Sequence, residues 1–184
     1  VLTVLEPMAE ALFHNDSFGY RPGRNTDLAI QRVRERVECG LTWLVDADIQ
    51  SFFDSIPHRE LVKTLRKTIP DRQLLDLMDL WLAESGSVQG FMGRRRGILQ
   101  GAVISPLLCN LYLHQFDTAL AGRNIPFVRF ADDFLLFAPD KNRAEKAMQF
   151  GGKKLEELGL VLHPEKTAVV RSSGKLIFLG HQLP

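Results

Sequence analysis

The sequence predicts an α+β fold, a single domain in which helices pack against a small antiparallel sheet. Several segments carry apolar residues at helical spacing. Short apolar runs bounded by turn residues predict strands, and two of these runs flank the pair Asp132-Asp133 as a hairpin would. The chain has 184 residues and is 45% hydrophobic, which suits one domain with a well-formed core.

The first half of the chain predicts four helices around one buried strand. The helices are residues 1–14, 26–39, 58–68 and 71–84. Asn25 or Thr26 can cap the second helix, because their side-chain oxygens accept hydrogen bonds from its first N–H groups. Residues 43–49 predict the strand, and its alternation places Leu44, Asp46 and Asp48 on one face.

The second half predicts two helices and several short strands on either side of the hairpin that carries the acidic pair. Residues 85–100 are rich in Gly and Arg and predict a loop or a hairpin. Ser105 as cap and Pro106 in the first turn predict a helix to about residue 121. A further helix over residues 144–158 is weakened by two glycines, and the last predicted strands are residues 160–162, 168–170 and 176–179.

Composition excludes little and indicates a reducing compartment. Lys and Arg total 23 and Asp and Glu total 22, so the net charge of +1 neither indicates nor excludes a nucleic-acid partner. Cys39 and Cys109 have no metal-like spacing, which favours a cytoplasmic location. No apolar run reaches the roughly 18 residues of a membrane span, so we expect no membrane partner.

Aspartates at two distant positions suggest a metal centre. Asp48 lies near a strand end, and Asp132 and Asp133 lie at a hairpin tip. If these strand ends are neighbours, three carboxylates converge and offer the hard oxygen ligands that two Mg²⁺ ions need. Asp46, on the same face as Asp48, and Asp54, in the following turn, are alternative ligands, and a solvated hairpin tip is the alternative explanation of the pair.

Six sequence blocks resemble one family in order. They are residues 18–24 (FGYRPGR), 48–56 (DIQSFFDSI), 100–113 (QGAVISPLLCNLYL), 130–133 (FADD), 159–167 (GLVLHPEKT) and 178–181 (FLGH). This set resembles the prokaryotic reverse transcriptases related to group II intron enzymes, over nearly the whole chain. The resemblance implies that residues 1–184 are the palm of a right-hand polymerase with part of the fingers. The fingertip strands and the thumb are expected outside these residues.

The resemblance also implies roles for individual residues. In its pattern Asp48, Asp132, Asp133 and the backbone carbonyl of Ile49 hold two Mg²⁺ ions, for which Mn²⁺ can substitute. Lys166 assists the departing pyrophosphate. The residues implied to contact the nucleotide or the template are Phe53, which excludes a ribose 2′-hydroxyl, Gln100, Gly101, Arg21 and Arg24. For Phe53, Lys166 and the two arginines, a core aromatic, a surface lysine and a solvated loop are the alternatives.

The implied activity is RNA-directed DNA polymerisation. The partners are an RNA template, a DNA or RNA primer and dNTPs, with attack of the primer 3′-hydroxyl on the α-phosphate. Residues 40–49, 71–82 and 110–117 resemble the CRISPR-associated branch, whose partner is a fused or bound adaptation integrase. A group II intron maturase and a catalytically inactive nucleic-acid-binding module remain alternatives. A nucleotidyl cyclase is disfavoured, because the chain lacks a Gly-Gly-acidic-acidic-Phe turn.

Overall fold

A four-stranded antiparallel sheet forms the centre of the computed structural model, which describes residues 2–85, 87–89, 94–173 and 176–183. The helices are α1 Leu2–Glu10, α2 Thr26–Glu38, α3 Phe52–Ser55, α4 His58–Thr68, α5 Arg72–Ser85, α6 Ser105–Gly122 and α7 Lys141–Glu157. The strands are β1 Trp43–Ala47, β2 Ser87–Gln89, β3 Arg94–Arg96, β4 Phe127–Phe130, β5 Asp133–Ala138, β6 Ala168–Arg171, β7 Ile177–Phe178 and β8 His181–Gln182.

The central sheet has the strand order β4-β5-β1-β6, and every neighbouring pair in it is antiparallel. Strand β1 is therefore an interior strand, between the β4–β5 hairpin and β6. Two separate two-stranded ladders, β2-β3 and β7-β8, complete the described strands. The predicted α+β class with a small antiparallel sheet is confirmed, and the β4–β5 hairpin forms where the acidic pair predicted it.

The sheet is covered on both faces, which explains why β1 has buried apolar residues on both sides. Val45, Ala47 and Ile49 face the larger core, which includes buried residues of α4, α6 and α7. Leu44 faces a smaller core on the opposite side, where it meets Ile30 of α2 and other buried side chains. The alternation predicted for this strand is confirmed, although regular pairing ends at Ala47 rather than at residue 49.

Helix α6 is the most deeply buried helix among the described residues, and its start differs from the prediction. The N-cap is Ile104, and Ser105 is the first helical residue. The Ser105 hydroxyl donates to the Leu99 carbonyl oxygen at 2.6 Å, so it does not cap the helix. The Ser105 hydroxyl, which we predicted to cap the helix, is therefore bonded to the loop before it. None of the described helices combines the length and apolarity needed to cross a bilayer.

Two other helices begin or end away from their predicted bounds. Helix α1 ends at Glu10 rather than at residue 14, because the chain tightens there and the Leu12 N–H donates to the Ala9 carbonyl. Helix α7 begins three residues early, because Asp140 caps it by accepting from the Arg143 N–H at 2.8 Å. The cap predicted at Asn25 is confirmed, with its Oδ1 accepting from the third helical N–H at 2.9 Å.

The glycines of α7 do not break the helix, because tertiary packing uses them. A methyl group added at Gly151 would lie 3.4 Å from a Leu136 methyl carbon and 3.7 Å from the Phe116 ring. The helix therefore approaches the sheet closely at the position where its intrinsic propensity is weakest. The low helix propensity of glycine is offset by the packing of the helix against Leu136 and Phe116.

The irregular segments were predicted less well. The strand predicted at residues 160–162 is reduced to one bridge between Leu162 and Ile49. The last predicted strand shortens to β7 and pairs with β8 as a small hairpin. Within the predicted loop or hairpin of residues 85–100, β2 and β3 pair as an antiparallel ladder, and residues 86 and 90–93 lie outside the described residues. The short helix α3 was not predicted.

Candidate active site

The β4–β5 hairpin presents its two aspartates at a tight turn. Phe130 pairs with Asp133, which leaves Ala131 and Asp132 as the two turn residues. Ala131 has φ +58°, a left-handed conformation that a non-glycine residue adopts rarely and that marks a position held by its surroundings. We call residues 130–133 the acidic turn. It projects Asp132 and Asp133 from one end of the sheet.

Asp48 lies beside the acidic turn, as the sequence predicted. The β1–β5 register pairs Ala47 with Phe134, and continuing it by one residue brings Asp48 opposite Asp133. Directly opposed residues of antiparallel strands have Cβ atoms about 4.5–5.5 Å apart. The sheet therefore brings together carboxylates that are 85 residues apart in the chain.

Lys166 forms an ion pair with Asp48. Its ammonium nitrogen is 2.6 Å from the Asp48 Oδ2 atom, and the lysine side chain is 62% exposed. Two backbone hydrogen bonds attach this part of the chain to the end of β1: the His163 N–H donates to the Asp48 carbonyl at 2.8 Å, and the Gln50 N–H donates to the Val161 carbonyl at 2.9 Å. The loop after α7 is thereby fixed next to the carboxylates.

Burial, together with repulsion between neighbouring carboxylates, raises the pKa values of Asp132, Asp133 and Asp46. Burial raises the pKa of Asp132, and the charge of Asp48 raises it further. The protein displaces water around Asp133, and with the charges of Asp132 and Asp48 this raises its pKa to about 6, although part of the side chain stays exposed. Burial and the charge of Asp48 also raise the pKa of Asp46. The Asp48 hydrogen bond and charge raise the pKa of Lys166.

The donor set suits a divalent cation, but the side chains are not yet arranged around one. In the part of the chain that the structure describes, no three histidine, cysteine or carboxylate side chains are grouped closely enough to hold an ion. Lys166 occupies one oxygen of Asp48 instead. The chemistry nevertheless fits, because Asp48, Asp132 and Asp133 are hard oxygen ligands whose mutual repulsion a cation would relieve. The predicted convergence holds for the backbone, and the metal role of the three carboxylates stays a prediction.

Gly19, in the loop before α2, packs on the acidic turn, and neither Gly19 nor its neighbour Tyr20 was predicted as a site residue. A Cβ atom at Gly19 would lie 2.3 Å from the Ala131 nitrogen, so only glycine allows this contact. Tyr20 follows with φ +58° and a side chain that is about half exposed. Partial burial raises the pKa of the Tyr20 hydroxyl, and the charges of Asp132 and Asp133 raise it further.

A buried arginine behind the acidic turn was also missed. Arg129 of β4 is fully buried and forms a salt bridge with the equally buried Asp117 of α6. Its guanidinium also binds the Ala131 carbonyl oxygen inside the turn, at 2.8 Å. The available signal was one charged residue within an apolar strand and one acid within an apolar helix, since buried charges are almost always paired.

The structure gives the local surroundings of the residues expected to contact a nucleotide, and their contact with one stays a prediction. Phe53 is half-buried in α3, with its ring edge-to-face on Phe52 at a centroid distance of 5.7 Å. Gln100 and Gly101 are exposed, and Gly101 has φ +86°. The Ile49 side chain is buried, and the predicted metal contact of its carbonyl oxygen stays a prediction.

The two arginines of the 15–25 loop bind acceptors of the protein itself, Arg21 in the interior and Arg24 at the surface. Arg21 is 7% exposed, binds both carboxylate oxygens of Glu10 and donates to the carbonyl oxygens of His14 and Ser17 at 2.7 Å. Arg24 binds the Asn15 carbonyl oxygen at 2.6 Å. In this arrangement Arg21 stabilises the loop, and phosphate binding by either arginine stays a prediction.

The sequence matches one family of known proteins over nearly its whole length. The sequence model of the family described as "Reverse transcriptase (RNA-dependent DNA polymerase)" matches residues 1–183. The chain is 31% identical to Protein YkfC of Escherichia coli K12, over 100% of this chain and 58% of that protein. It is 30% identical to the group II intron-encoded protein LtrA of Lactococcus lactis subsp. cremoris, over 70% of this chain and 22% of that protein. The chain thus spans little more than half of one relative and less of the other.

Solved structures share the fold at low sequence identity. Telomerase from Candida albicans, in complex with a fragment of telomeric RNA, superposes with a TM-score of 0.73 at 18% identity, over 96% of this chain and 35% of that chain. Apo telomerase from Candida tropicalis superposes with a TM-score of 0.70 at 15% identity, over 97% of this chain and 38% of that chain. These likenesses support a right-hand polymerase fold.

Proposed function

Because the chain belongs to the reverse transcriptase (RNA-dependent DNA polymerase) family, we propose that residues 1–184 form the palm and part of the fingers of an RNA-directed DNA polymerase. The observation that carries this proposal is the β1–β5 register, which brings Asp48 opposite the acidic turn. Three carboxylates on two adjacent strand ends are what nucleotidyl transfer requires of a palm. The proposed substrates are an RNA template, a DNA or RNA primer and dNTPs.

The residues of the site take distinct parts in this proposal. Asp48, Asp132 and Asp133 would hold two Mg²⁺ ions, with Mn²⁺ as a substitute. When bound, such ions lower the pKa of an attacking hydroxyl and stabilise a departing pyrophosphate. The protein itself aligns the primer end with the nucleotide, and alignment accounts for much of the rate in phosphoryl transfer. Phe53 would fill the space beside the sugar C2′ carbon and exclude a hydroxyl there.

Lys166 suits a role in charge neutralisation. In the structure its ammonium pairs with Asp48, on a loop that two backbone hydrogen bonds hold against β1. An exposed lysine at this position can turn from the carboxylate to an incoming phosphate without moving the backbone. It would then offer a positive charge, or a proton, to the leaving pyrophosphate.

The direct test is primer extension by the full-length protein. We expect Asp132→Ala to abolish Mg²⁺-dependent extension of a primer on an RNA template, because it removes one of the carboxylates at the turn. Asp76→Ala is the matched control, since Asp76 is an exposed acid of α5 that has no part in the proposed site. Extension that survives the Asp132 substitution would refute the proposal.

A second candidate function follows from the names of the relatives. The matches include LtrA, an intron-encoded protein, and Nuclear intron maturase 1 of Arabidopsis thaliana, which is 33% identical over 43% of this chain. A maturase that assists RNA splicing, or an inactive RNA-binding module, could use this fold without polymerising. Splicing of a group II intron that persists in the Asp132→Ala protein, with wild-type extension absent, would favour this alternative.

The CRISPR-associated branch remains a finer proposal within the same family. It rests on the resemblance of residues 40–49, 71–82 and 110–117. An adaptation integrase would then be fused to this chain or bound to it. Co-purification of the full-length protein with a neighbouring integrase would support this branch, and a gene neighbourhood without adaptation genes would exclude it.

A further inference from the structure

The guanidinium of Arg129 uses every donor it has inside the protein. Its Nε atom donates to Asp117 Oδ1 at 2.8 Å, and Nη2 donates to Asp117 Oδ2 at 2.6 Å and to the Ser17 hydroxyl at 2.8 Å. Its Nη1 atom donates to Asn110 Oδ1 at 3.0 Å and to the Ala131 carbonyl oxygen at 2.8 Å. An arginine side chain has five N–H donors, so none is left over.

These contacts join three separate parts of the fold, which we call the Arg129 network. Asp117 and Asn110 lie two turns apart on α6, and Ser17 lies in the loop before α2. The Asn110 amide also donates to the Gly19 carbonyl oxygen at 2.8 Å. Gly19 itself packs on the backbone of Ala131. The acidic turn is therefore held on one side by the guanidinium hydrogen bond to Ala131 and on the other by the packing of Gly19, which the Asn110 amide binds.

The contact with Ala131 bears on the carboxylates. The Ala131 carbonyl belongs to the peptide group that joins Ala131 to Asp132, so its orientation sets the direction in which the Asp132 chain continues. Left-handed φ at Ala131 is unfavourable for an alanine and persists only when the surroundings over-determine it. The guanidinium and the Gly19 contact supply that constraint.

We propose that Arg129 is a positioning residue, which acts through the Ala131 carbonyl to fix the place of the Asp132 carboxylate relative to Asp48. This inference rests on the proposed polymerase function. A lysine cannot replace the arginine here. Its three donors project from one nitrogen atom, so it can pair with Asp117 but cannot reach Ser17, Asn110 and the turn carbonyl together.

The test compares Arg129→Lys with a substitution that weakens the fold elsewhere. Leu65→Ala removes a fully buried side chain of α4 that takes no part in the Arg129 network, and it serves as the stability-matched control. Both proteins are assayed at a temperature where their unfolding curves show them folded. Two readouts are taken on the full-length protein: Mn²⁺ binding, titrated with the metal alone by electron paramagnetic resonance, and primer extension on RNA.

We expect Arg129→Lys to weaken Mn²⁺ binding by about tenfold or more, as loss of residues that orient metal ligands does. We expect it to slow extension by about 10²-fold, as displacement of a reacting group does. Leu65→Ala should lower Mn²⁺ affinity and the extension rate only in proportion to the fraction of the protein that is unfolded. Wild-type Mn²⁺ affinity and extension in folded Arg129→Lys would overturn the inference.

A second variant covers the case in which the lysine protein does not fold. Asn110→Ala keeps the Arg129–Asp117 pair and removes only the amide that joins the guanidinium to Gly19. It should lower Mn²⁺ affinity in the same direction and by less, and an unchanged affinity would overturn the inference. If the wild-type protein itself neither binds Mn²⁺ nor extends a primer, the proposed function fails, which is a separate result.

Discussion

At the scale of single residues, the candidate site is defined by charge. Asp48, Asp132 and Asp133 repel one another at the end of the sheet, and Lys166 offsets part of that repulsion. Such an arrangement is costly to the metal-free protein and favourable to anything cationic that binds there. Burial raises the pKa of Asp133, and the charges of Asp132 and Asp48 add to the shift, as this cost requires.

The pKa of Asp133 predicts a pH-dependent effect on stability. Its folded value is about 6 against an ordinary value of 3.8, so between about pH 4 and pH 6 the native state retains a proton that the unfolded state releases. The free energy of unfolding of the metal-free protein therefore falls as pH rises through that window. Asp133→Asn replaces the carboxyl group with an amide that does not ionise, so this fall in the free energy of unfolding is absent.

We expect Asp133→Asn to be more stable than wild type by about 1 kcal/mol above pH 6, a figure lowered for solvent screening of an exposed side chain. Near pH 4 the two proteins should be equally stable. Urea unfolding in EDTA at both pH values measures the difference. An advantage that is larger at pH 4 than above pH 6 would contradict the pKa direction.

At the scale of elements, the acidic turn depends on the loop that precedes α2. Gly19 packs against the turn backbone so closely that no side chain fits, while the Phe18 N–H donates to the Arg129 carbonyl at 2.8 Å. The loop thus pairs with the free edge of β4 and supports the hairpin where it turns. We therefore expect a substitution in this loop to displace the carboxylates of Asp132 and Asp133.

We expect Gly19→Ala to lower the free energy of unfolding by about 1–3 kcal/mol, as overpacking does. It should also reduce primer extension, because the added methyl group displaces the Ala131 backbone.

Gly122→Ala is the matched control. Nothing lies within 4 Å of its added carbon, and it ends helix α6 without a left-handed backbone, so stability should hold or rise by about 0.5–1 kcal/mol. Denaturant unfolding compares the two, and equal effects would argue against a special role for the loop.

At the scale of the whole molecule, the site lies where three parts of the fold meet. The end of β1, the acidic turn and the loop after α7 come together at one end of a sheet that is covered on both faces by apolar cores. An ion held there would bind only the native state, because no one segment supplies all three carboxylates. Its binding free energy would therefore add to the stability of the whole domain.

We expect Mg²⁺ to raise the thermal unfolding midpoint, with a stabilisation of about 2.7 kcal/mol when its concentration is one hundred times its dissociation constant. KCl at equal ionic strength is the control for screening. Asp132→Asn should lose most of the Mg²⁺ shift, since it removes one ligand. Differential scanning calorimetry measures the midpoints, and equal shifts with both salts would contradict specific binding at this site.

The sequence by itself determined the features that depend on short stretches of chain. The cap at Asn25, the alternation along β1 and the tight turn between two apolar strands all follow from local preference and periodicity. The family was also readable from short blocks, and the matching family model confirms it. These features need no knowledge of what lies across the molecule.

Tertiary structure alone decided which distant side chains meet. The Lys166–Asp48 pair spans 118 residues and the Arg129–Ser17 contact spans 112, and no local pattern encodes either distance. Ser105 donates to the Leu99 carbonyl oxygen instead of capping its helix, because the conformation of the loop before α6 brings that acceptor to its hydroxyl. Buried polar groups must find partners wherever the fold supplies them. The chain therefore specifies its elements locally, while the geometry of its carboxylates depends on contacts that form only when the whole domain has folded.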